Sequence, residues 1–277
     1  MNLFNLESNL DVRVLGTDLD GTLIPLPDCP ENREDLEILK KGLESGGREV
    51  VFATGRHFES VLEAIEEFGL PQPQWLICDV GTSIYRAKGG GYELYQPYVD
   101  HLSEKSGGID RTDVEEAVSG IDGLELQGAE SQGPFKISYF ADNSRVDELV
   151  REMGRACEEK GLPFLAMGSV DPFNQNGLLD LLPAGVSKAY ALIWLATHAD
   201  FRPEELVFSG DSGNDYAALV AGFRSIAVGN AASELVEKVA QEMKANGASE
   251  RFYAAKAFAT SGVLEGCRHF GLLPQEK

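Results

Sequence analysis

Two aspartates separated by one residue follow a short apolar run near the start of the chain. They are Asp18 and Asp20 in the stretch DLDGT, which comes after the run from Val12 to Leu15. In open α/β sheets, ligands bind just beyond the carboxyl ends of the strands. Alternation along an extended segment predicts that both carboxylates point the same way, and charges this close need a cation or a shared proton to coexist. Because Mg²⁺ prefers oxygen ligands from carboxylates, water and phosphate, the pair indicates a magnesium site. A strand end whose acids cap turns is the alternative.

A second acidic loop follows another apolar run. The loop GDSGND comes after LVFS and supplies Asp211 and Asp215, with glycines that let the backbone approach a ligand closely. Taken alone, this loop is also explained by a turn that caps the following helix. Two acidic loops at the ends of two strands favour a shared cation site.

Two further segments indicate an anion site. Thr54, Gly55 and Arg56 follow the apolar run EVVFA, where a hydroxyl and free backbone N–H groups at a strand-to-helix junction bind anions. Lys188 lies at the start of a helix, where the helix dipole disfavours a cation. A helix cap and a surface lysine are the alternatives, but beside four carboxylates the lysine is a candidate partner for phosphate.

The elements that must position these residues are apolar runs alternating with helix-period segments. This pattern predicts βα units around a mostly parallel sheet. The pattern of apolar and polar residues changes between about residues 84 and 182, where Gly-rich turns separate strands of alternating polarity. We therefore predict a discontinuous α/β core, residues 1–83 and 183–277, with an inserted α+β module at 84–182.

One strand of the insert has a polar face. In FKISYF, alternation places Phe135, Ile137 and Tyr139 on the face that packs against a helix at 145–160. Lys136 and Ser138 then lie on the opposite face, which we expect to be turned toward the core cleft. Asp180 in LLDLLP is expected to join them and to bind a hydroxyl-rich ligand. A solvated sheet face is the alternative.

In this order, DLDGT, ATGR, the SK pair at 187–188 and GDSGND resemble the four signature motifs of the haloacid-dehalogenase superfamily. The resemblance covers the whole predicted core and implies an α/β, Rossmann-like parallel sheet with an inserted α+β cap domain. It implies a phosphatase in which Asp18 is the nucleophile and Asp20 the general acid/base. Phosphate would be bound by Thr54, Gly55, Arg56, Lys188 and Asn214. Mg²⁺ would be held by Asp18, the Asp20 backbone carbonyl, Asp211 and, directly or through water, Asp215.

Within that superfamily the chain looks most similar to sucrose-phosphate phosphatases and related sugar-phosphate phosphatases. The supporting stretches are WLICDVGTSIY, FKISYFAD, LLDLLP, SGDSGND and AVGNAASEL. The chain differs from that pattern at Gly21, where Asn is expected, and at AFATSG, where a His-containing segment is expected. The resemblance implies sucrose 6-phosphate or a related disaccharide phosphate as the substrate.

Charge and cysteine usage exclude some classes of partner. The formal net charge is −21, from 24 Lys and Arg against 45 Asp and Glu, so nucleic acid and anionic membranes are not expected partners. The chain has neither an apolar run of the roughly 20 residues that a membrane span needs nor a secretory leader pattern. Its four cysteines are widely spaced, which predicts reduced thiols in a cytoplasmic protein. The sequence leaves the oligomeric state open.

Two other functions fit parts of the sequence. A phosphotransferase or mutase would use the same core motifs and return the phosphoryl group to a sugar. A receiver-like signalling module also uses clustered aspartates, a hydroxyl and a lysine, but has about half this length and no insert. The phosphatase interpretation uses every motif, including Asp20, for which a receiver has no acid/base task.

Overall fold

A computed structural model describes residues 3–5, 11–170 and 176–275 of the chain. By its internal contacts the chain forms two compact units. The first comprises Met1–Gly81, Tyr85–Glu93 and Ser187–Lys277, and the second comprises Thr82–Ile84 and Leu94–Val186.

The described residues contain twelve strands and nine α-helices. The strands are β1 (Val14–Thr17), β2 (Glu49–Ala53), β3 (Trp75–Cys78), β4 (Ser83–Lys88), β5 (Gly91–Leu94), β6 (Glu125–Leu126), β7 (Ile137–Ala141), β8 (Phe164–Val170), β9 (Gly177–Pro183), β10 (Leu206–Gly210), β11 (Arg224–Ala227) and β12 (Phe252–Ala254). The helices are α1 (Glu31–Ser45), α2 (Phe58–Phe68), α3 (Gln96–Lys105), α4 (Arg111–Val118), α5 (Val146–Glu159), α6 (Lys188–Ala196), α7 (Tyr216–Leu219), α8 (Ser233–Ala245) and α9 (Ala259–His269).

An eight-stranded sheet in the order β12-β11-β10-β1-β2-β3-β4-β5 forms the centre of the first unit. The pairs from β12 to β3 are parallel, which confirms the predicted α/β class. Strand β1 lies between β10 and β2, with Gly16 opposite Phe208 and Val51. All four residues of β1 are buried, as expected for a central strand covered on both faces.

Helical periodicity explains how the helices cover this sheet. In α1, Leu36, Leu39 and Leu43 recur at helical spacing and are buried in the same core as Leu15. Helix α9 contributes Val263, Leu264 and Cys267 to that core. Because β1, β2 and β10 are parallel neighbours, their carboxyl ends meet at one edge of the sheet.

The second unit contains a four-stranded antiparallel sheet in the order β6-β7-β9-β8. The apolar face of α5 packs on it and forms one core with β7 and β9. Ile137 and Tyr139 lie in this core, as predicted. Phe135 precedes β7 and is half-buried outside that core, so its predicted packing against the helix is wrong. Strand β7 begins only at Ile137, so the alternation of the strand does not determine the direction of the Phe135 side chain.

Contacts divide the chain differently from the predicted boundaries. Residues 85–93, which the sequence analysis assigned to the insert, belong to the first unit. The Gly-rich stretch KGGGY is a hairpin turn between β4 and β5, with left-handed φ angles of 62° at Gly89 and 86° at Gly90. The hairpin extends the large sheet beyond β3, and its Tyr85 ring stacks 4.1 Å from the Phe58 ring of α2. The glycines mark a turn within the core unit and not its end.

Among the described residues, no helix is both long enough and apolar enough to cross a membrane.

Candidate active site

The ends of β1 and β10 bring the two acidic segments together. The Asp18 N–H donates a 2.9 Å hydrogen bond to the carbonyl of Ser209 in β10. The Ser209 hydroxyl donates to the Thr17 hydroxyl at 2.8 Å, and Thr17 donates to the Asp18 carbonyl at 2.8 Å. These bonds fix the backbone of Asp18 on both sides of its side chain. The sheet thereby holds this carboxylate on rigid structure.

Lys188 is the cation at the centre of the site. Its side chain is fully buried, and Nζ lies 2.8 Å from Asp18 Oδ1 and 2.9 Å from Asp215 Oδ1. A third bond, of 2.9 Å, runs to Oδ1 of Asn214. Burial by itself lowers the pKa of Lys188, but Asp18 and Asp215 outweigh this and raise it above its ordinary value. Lys188 therefore stays charged, which explains a lysine in the first turn of a helix.

Close backbone approach sets the position of Lys188. The Ser187 hydroxyl caps α6 by accepting a 3.2 Å hydrogen bond from the Tyr190 N–H. Gly81 adopts a φ of 101°, and a Cβ there would lie 2.3 Å from the Ser187 carbonyl oxygen. Only glycine fits at this crossing.

Asp215 organises the acidic loop. Its Oδ2 accepts hydrogen bonds from the N–H groups of Asp211 at 3.1 Å and Ser212 at 3.2 Å, while Oδ1 faces Lys188. A Cβ on Gly210 would lie 2.6 Å from the Asp215 Cβ, so the loop requires glycine there. The Asp215 carboxylate therefore has both predicted roles: one oxygen caps the turn, and the other pairs with a charged group of the site.

Three carboxylates form a cluster in the first unit. Asp18, Asp211 and Asp215 each offer one oxygen, and these oxygens lie within 4.8 Å of one another. The Thr22 hydroxyl donates to Asp211 Oδ1 at 3.0 Å and fixes its orientation. Gly21, with a φ of 73°, passes so close that a Cβ would lie 2.5 Å from Asp211 Oδ2. A side chain at this position, where the resemblance predicts asparagine, would therefore require the Asp211 carboxylate to shift.

Burial makes this cluster electrostatically costly. Burial, and secondly the Asp215 carboxylate, raise the pKa of Asp18 well above its ordinary value, although Lys188 acts against them. The same two causes raise the pKa of Asp211 to about 6. One lysine does not neutralise three carboxylates, so the cluster favours a bound cation or bound protons.

This charge imbalance predicts how stability depends on pH and metal. Both folded-state pKa values are raised, so the metal-free fold binds protons that the unfolded chain releases. The stabilisation of the fold by these bound protons is complete below about pH 4. It is lost through about pH 6 for Asp211, and above that for Asp18. Because metal must displace those protons, Mg²⁺ should raise the unfolding temperature more at about pH 8 than at about pH 5.

Thermal unfolding in EDTA and in Mg²⁺ measures this effect, with Asp211→Asn as the matched control. The variant keeps the acceptor for Thr22 but has no charge to titrate. Its metal-dependent stabilisation should be smaller and less sensitive to pH. An equal pH dependence in both proteins would contradict the assignment of Asp211 to a cation site.

Asp20 lies apart from the carboxylate cluster. Its side chain is 57% exposed and forms a bidentate pair with Arg56, with Nη2–Oδ1 at 2.7 Å and Nε–Oδ2 at 2.8 Å. Arg56 also donates to the Ser60 hydroxyl at 3.0 Å. Extended alternation is absent here, because the backbone turns at Leu19–Leu23. Asp18 and Asp20 therefore have different side-chain partners, Lys188 and Arg56, and the common direction of the two carboxylates stays a prediction.

The Thr54–Arg56 segment forms a tight turn after β2. The Thr54 hydroxyl is buried and accepts a 3.2 Å hydrogen bond from the Arg56 N–H. Behind the turn, Asp79 and Val80 adopt left-handed φ angles of 53° and 58°, and their N–H groups bond the carbonyls of Arg56 and Thr54. Such φ values in a β-branched residue are strained and are typical of functional sites.

The three residues predicted to contact substrate lie together in the second unit. Ser138 and Asp180 are opposite each other in the β7–β9 register, and the Ser138 hydroxyl donates to Asp180 Oδ1 at 2.5 Å. Lys136 is buried at the start of the same strand. Ser138 is also buried, and the Gln132 side chain hydrogen-bonds to both its main-chain N–H and its carbonyl. The alternative of a fully solvated face is therefore wrong.

Sequence reasoning missed several supporting residues. Thr22, Ser187 and Gly81 orient the charged groups, and Asn230 donates a 2.7 Å hydrogen bond to the Gly21 carbonyl. WLICDVGTSIY and AVGNAASEL contained Gly81 and Asn230, but their spacing alone did not reveal contact with the site.

A parallel sheet with a buried Asp–Lys–Asp cluster at its carboxyl edge, and a separate Asp two residues after the first, defines a phosphatase of the haloacid-dehalogenase superfamily. The family described as sucrose-6F-phosphate phosphohydrolase matches residues 12–271. The chain belongs to this family, as the resemblance of its motifs predicted.

Individual relatives agree with this membership. The mannosylfructose-phosphate phosphatase of Agrobacterium fabrum is 32% identical over 95% of this chain and 99% of its own length. Sucrose-phosphatase 1 of Nicotiana tabacum is 29% identical over 93% of this chain, which spans 59% of that longer protein. The solved structure of the Synechocystis sucrose-phosphatase, in complex with sucrose and phosphate, matches with a TM-score of 0.72. It is 28% identical and covers 95% of this chain and 99% of its own.

Proposed function

We propose that this phosphatase is a Mg²⁺-dependent phosphomonoester hydrolase that acts on a sugar phosphate through a covalent phosphoryl group on Asp18. The observation that carries the proposal is the division of labour between two aspartates. Asp18 is buried against Lys188, as suits a nucleophile facing a phosphoryl group, and Asp20 is exposed, as suits an acid that meets the leaving group.

The carboxylate cluster fits a magnesium ion. Its donor set is entirely oxygen, and its charge exceeds what Lys188 supplies. Asp18 and Asp211 would hold the ion. Asp215 would support them, since both of its oxygens already accept hydrogen bonds. When bound, Mg²⁺ would neutralise charge on the phosphoryl oxygens.

In the first step, a carboxylate oxygen of Asp18 attacks phosphorus and the bond from phosphorus to the sugar oxygen breaks. The departing sugar oxygen takes a proton from Asp20. Lys188 and the Thr54 segment bind the non-bridging phosphoryl oxygens, since positioning and charge neutralisation dominate phosphoryl transfer. The products of this step are the free sugar and the acyl phosphate on Asp18.

In the second step, Asp20 is a carboxylate and accepts a proton from water. The water oxygen attacks phosphorus, and the bond from phosphorus to the Asp18 oxygen breaks. Phosphate leaves and Asp18 returns to its carboxylate form. Arg56 would hold Asp20 in place between these steps, since its bidentate geometry restricts carboxylate rotation.

A disaccharide phosphate is the substrate class that we propose, with sucrose 6-phosphate or a mannosylfructose phosphate as the leading candidates. The family description and the names of the Agrobacterium and Nicotiana relatives support this class. A panel of sugar phosphates, assayed for phosphate release with Mg²⁺ and after EDTA, tests it. We expect the disaccharide phosphates to give the highest kcat/KM and EDTA to abolish turnover. Hydrolysis in metal-free buffer, or a preference for monosaccharide phosphates, would contradict the proposal.

The same panel separates hydrolysis from transfer. With an excess of acceptor sugar, a phosphotransferase or mutase would form a new sugar phosphate in place of free phosphate. We expect stoichiometric phosphate release, because Asp20 can activate water as well as protonate a sugar oxygen.

We propose that the second unit acts as the cap that selects the sugar. Ser138 and Asp180 share one side of the antiparallel sheet, opposite the apolar side that packs on α5, and the buried Lys136 lies directly before the same strand. Hydrogen-bonding groups arranged on a sheet are suited to the hydroxyls of a sugar.

Lys136→Ala should therefore lower kcat/KM for the disaccharide phosphate by about 10–100-fold, the loss expected for one or two hydrogen bonds including a charged one. Hydrolysis of p-nitrophenyl phosphate should change far less, because its leaving group has no sugar hydroxyls for these side chains to bind. Steady-state kinetics on both substrates make the comparison.

Ile137→Ala is the matched control at the next position. It removes packing in the core of the second unit and should cost roughly 2–5 kcal/mol of stability without changing the ratio of the two substrates. Equal losses on both substrates for Lys136→Ala would assign that lysine to folding or phosphate binding.

We also propose a cytoplasmic location. None of the four cysteines forms a disulfide bond, which suits a reducing compartment. Immunodetection after cell fractionation tests this, and recovery in a secreted fraction would contradict it.

A further inference from the structure

Two segments of the first unit meet behind the turn that carries Asp20. Asn230 donates from Nδ2 to the Gly21 carbonyl at 2.7 Å and accepts at Oδ1 from the Ala259 N–H at 2.8 Å. A carbonyl only accepts and an amide N–H only donates, so these two partners fix the orientation of the side-chain amide. Asn230 thus bridges the turn Leu19–Leu23 to the start of α9.

The start of α9, on the far side of the bridge, is buried and hydrogen-bonded. Ala259 is fully buried with a left-handed φ of 45°, a conformation that persists only when its surroundings hold it. Thr260 donates to the Leu23 carbonyl at 2.7 Å, and Asn32 donates to the Phe258 carbonyl at 3.0 Å. Asn230 is therefore anchored on a segment that is itself bonded both to the end of the turn, at Leu23, and to helix α1, at Asn32.

The turn is also bonded at Thr22 and Leu23, and Asn230 holds it directly beside Asp20, at Gly21. Among the described side chains, Arg56 is the hydrogen-bond partner of the Asp20 carboxylate, which is otherwise exposed. The next residue is Gly21, whose backbone has more conformational freedom than that of any other residue type. Rotation of the Gly21 peptide would displace Asp20 on one side and Thr22 on the other. The hydrogen bond from Asn230 opposes this rotation.

We propose that Asn230 is a positioning residue that orients Asp20 for proton transfer to the leaving group. The inference rests on the proposed function, in which Asp20 is the acid. It assigns a role to the AVGN and AFATSG segments, which meet through the Asn230–Ala259 hydrogen bond. Misplacing a catalytic group by about 1 Å can cost roughly 100-fold in rate.

Leaving-group dependence distinguishes positioning from general structural support. kcat/KM reports the steps through departure of the leaving group, when phosphate moves to Asp18. A sugar oxygen needs the proton from Asp20 in that step, whereas p-nitrophenolate leaves without one. A defect in the placement of Asp20 should therefore appear with sucrose 6-phosphate and be nearly absent with p-nitrophenyl phosphate.

Asn230→Asp and Asn230→Ala test this prediction. The aspartate variant keeps the acceptor for Ala259 but loses the donor to Gly21, and the alanine variant loses both. Each should lower kcat/KM for sucrose 6-phosphate by about 10–100-fold and for p-nitrophenyl phosphate by less than about threefold. Asp20→Asn should give the same selectivity with a larger loss. Asn246→Asp makes the same chemical change at an exposed residue of the first unit and should leave both values unchanged.

The ratio of the two kcat/KM values, measured on one sample, does not depend on the fraction of folded enzyme. Equal losses on both substrates, or no loss on either, would overturn the positioning role while the wild-type activity upholds the proposed function. A wild-type enzyme that hydrolyses neither phosphate would remove the proposed function and this inference with it.

Discussion

Asp18→Asn should fold normally and lose turnover by at least about three orders of magnitude, as expected when a covalent catalyst is removed. The amide has the shape of the carboxylate but is a far weaker nucleophile. Folding should be preserved because burial already disfavours the charged carboxylate, whose pKa is raised. Phosphate release from a sugar phosphate and the thermal unfolding temperature measure the two effects separately.

Asp28→Asn is the matched control for this variant. Asp28 is exposed in the loop before α1, so the same chemical change there should leave both turnover and unfolding temperature unchanged. Turnover of Asp18→Asn within about tenfold of the wild type would rule out attack by this side chain.

Lys188→Met should have the second largest effect, on stability as well as on activity. The substitution leaves Asp18 and Asp215 buried without their shared cation, and removing one member of a buried ion pair costs about 3–5 kcal/mol. Turnover should fall by about 100–1000-fold, because a preorganised charge facing the phosphoryl oxygens is lost. Denaturant unfolding in EDTA and steady-state kinetics measure these losses.

The stability deficit of Lys188→Met should shrink as pH falls from about 8 to about 5. Without the lysine, the pKa of Asp18 rises further, so the folded variant takes up a proton that relieves the repulsion between Asp18 and Asp215. Lys88→Met is the control, since the Lys88–Glu93 pair is largely exposed and such pairs contribute about 0–1 kcal/mol. A pH-independent deficit would mean that lost packing of the aliphatic chain, and not charge, explains the change.

Local sequence was sufficient to predict the charged core of the site. Asp18, Lys188 and Asp211 each follow or begin an element whose type is visible in hydrophobic periodicity. Parallel strands bring their carboxyl ends to one edge, which explains why Asp18 and Asp211 lie together, whereas Lys188 begins a helix and was placed beside them by the order of the motifs. The α/β class was predictable from continuous apolar runs, and the one-sided sheet of the insert from the alternation of polar and apolar residues along its strands.

Other features depended on contacts between residues distant in sequence. The pairing of Arg56 with Asp20 spans 36 positions and is set by two turns whose dihedral angles no periodicity predicts. Arg56 was consequently assigned to phosphate alone. Asn230 lies 209 positions from Gly21, and the strained Ala259 gives no signal at all in an alanine-rich stretch. Hydrogen bonds of this kind require the folded loops to be known.

Detection of the phosphoryl group on Asp18 is the most direct test of the proposed mechanism. The wild type and Asp20→Asn would be mixed with Mg²⁺ and p-nitrophenyl phosphate, quenched in acid, digested with pepsin and analysed by mass spectrometry. We expect one phosphoryl group on the peptide that contains Asp18, more of it in Asp20→Asn because the water-activating base is lost, and none in Asp18→Asn. Rapid hydrolysis with no label on this peptide in any variant, or a label that persists in Asp18→Asn, would contradict the mechanism.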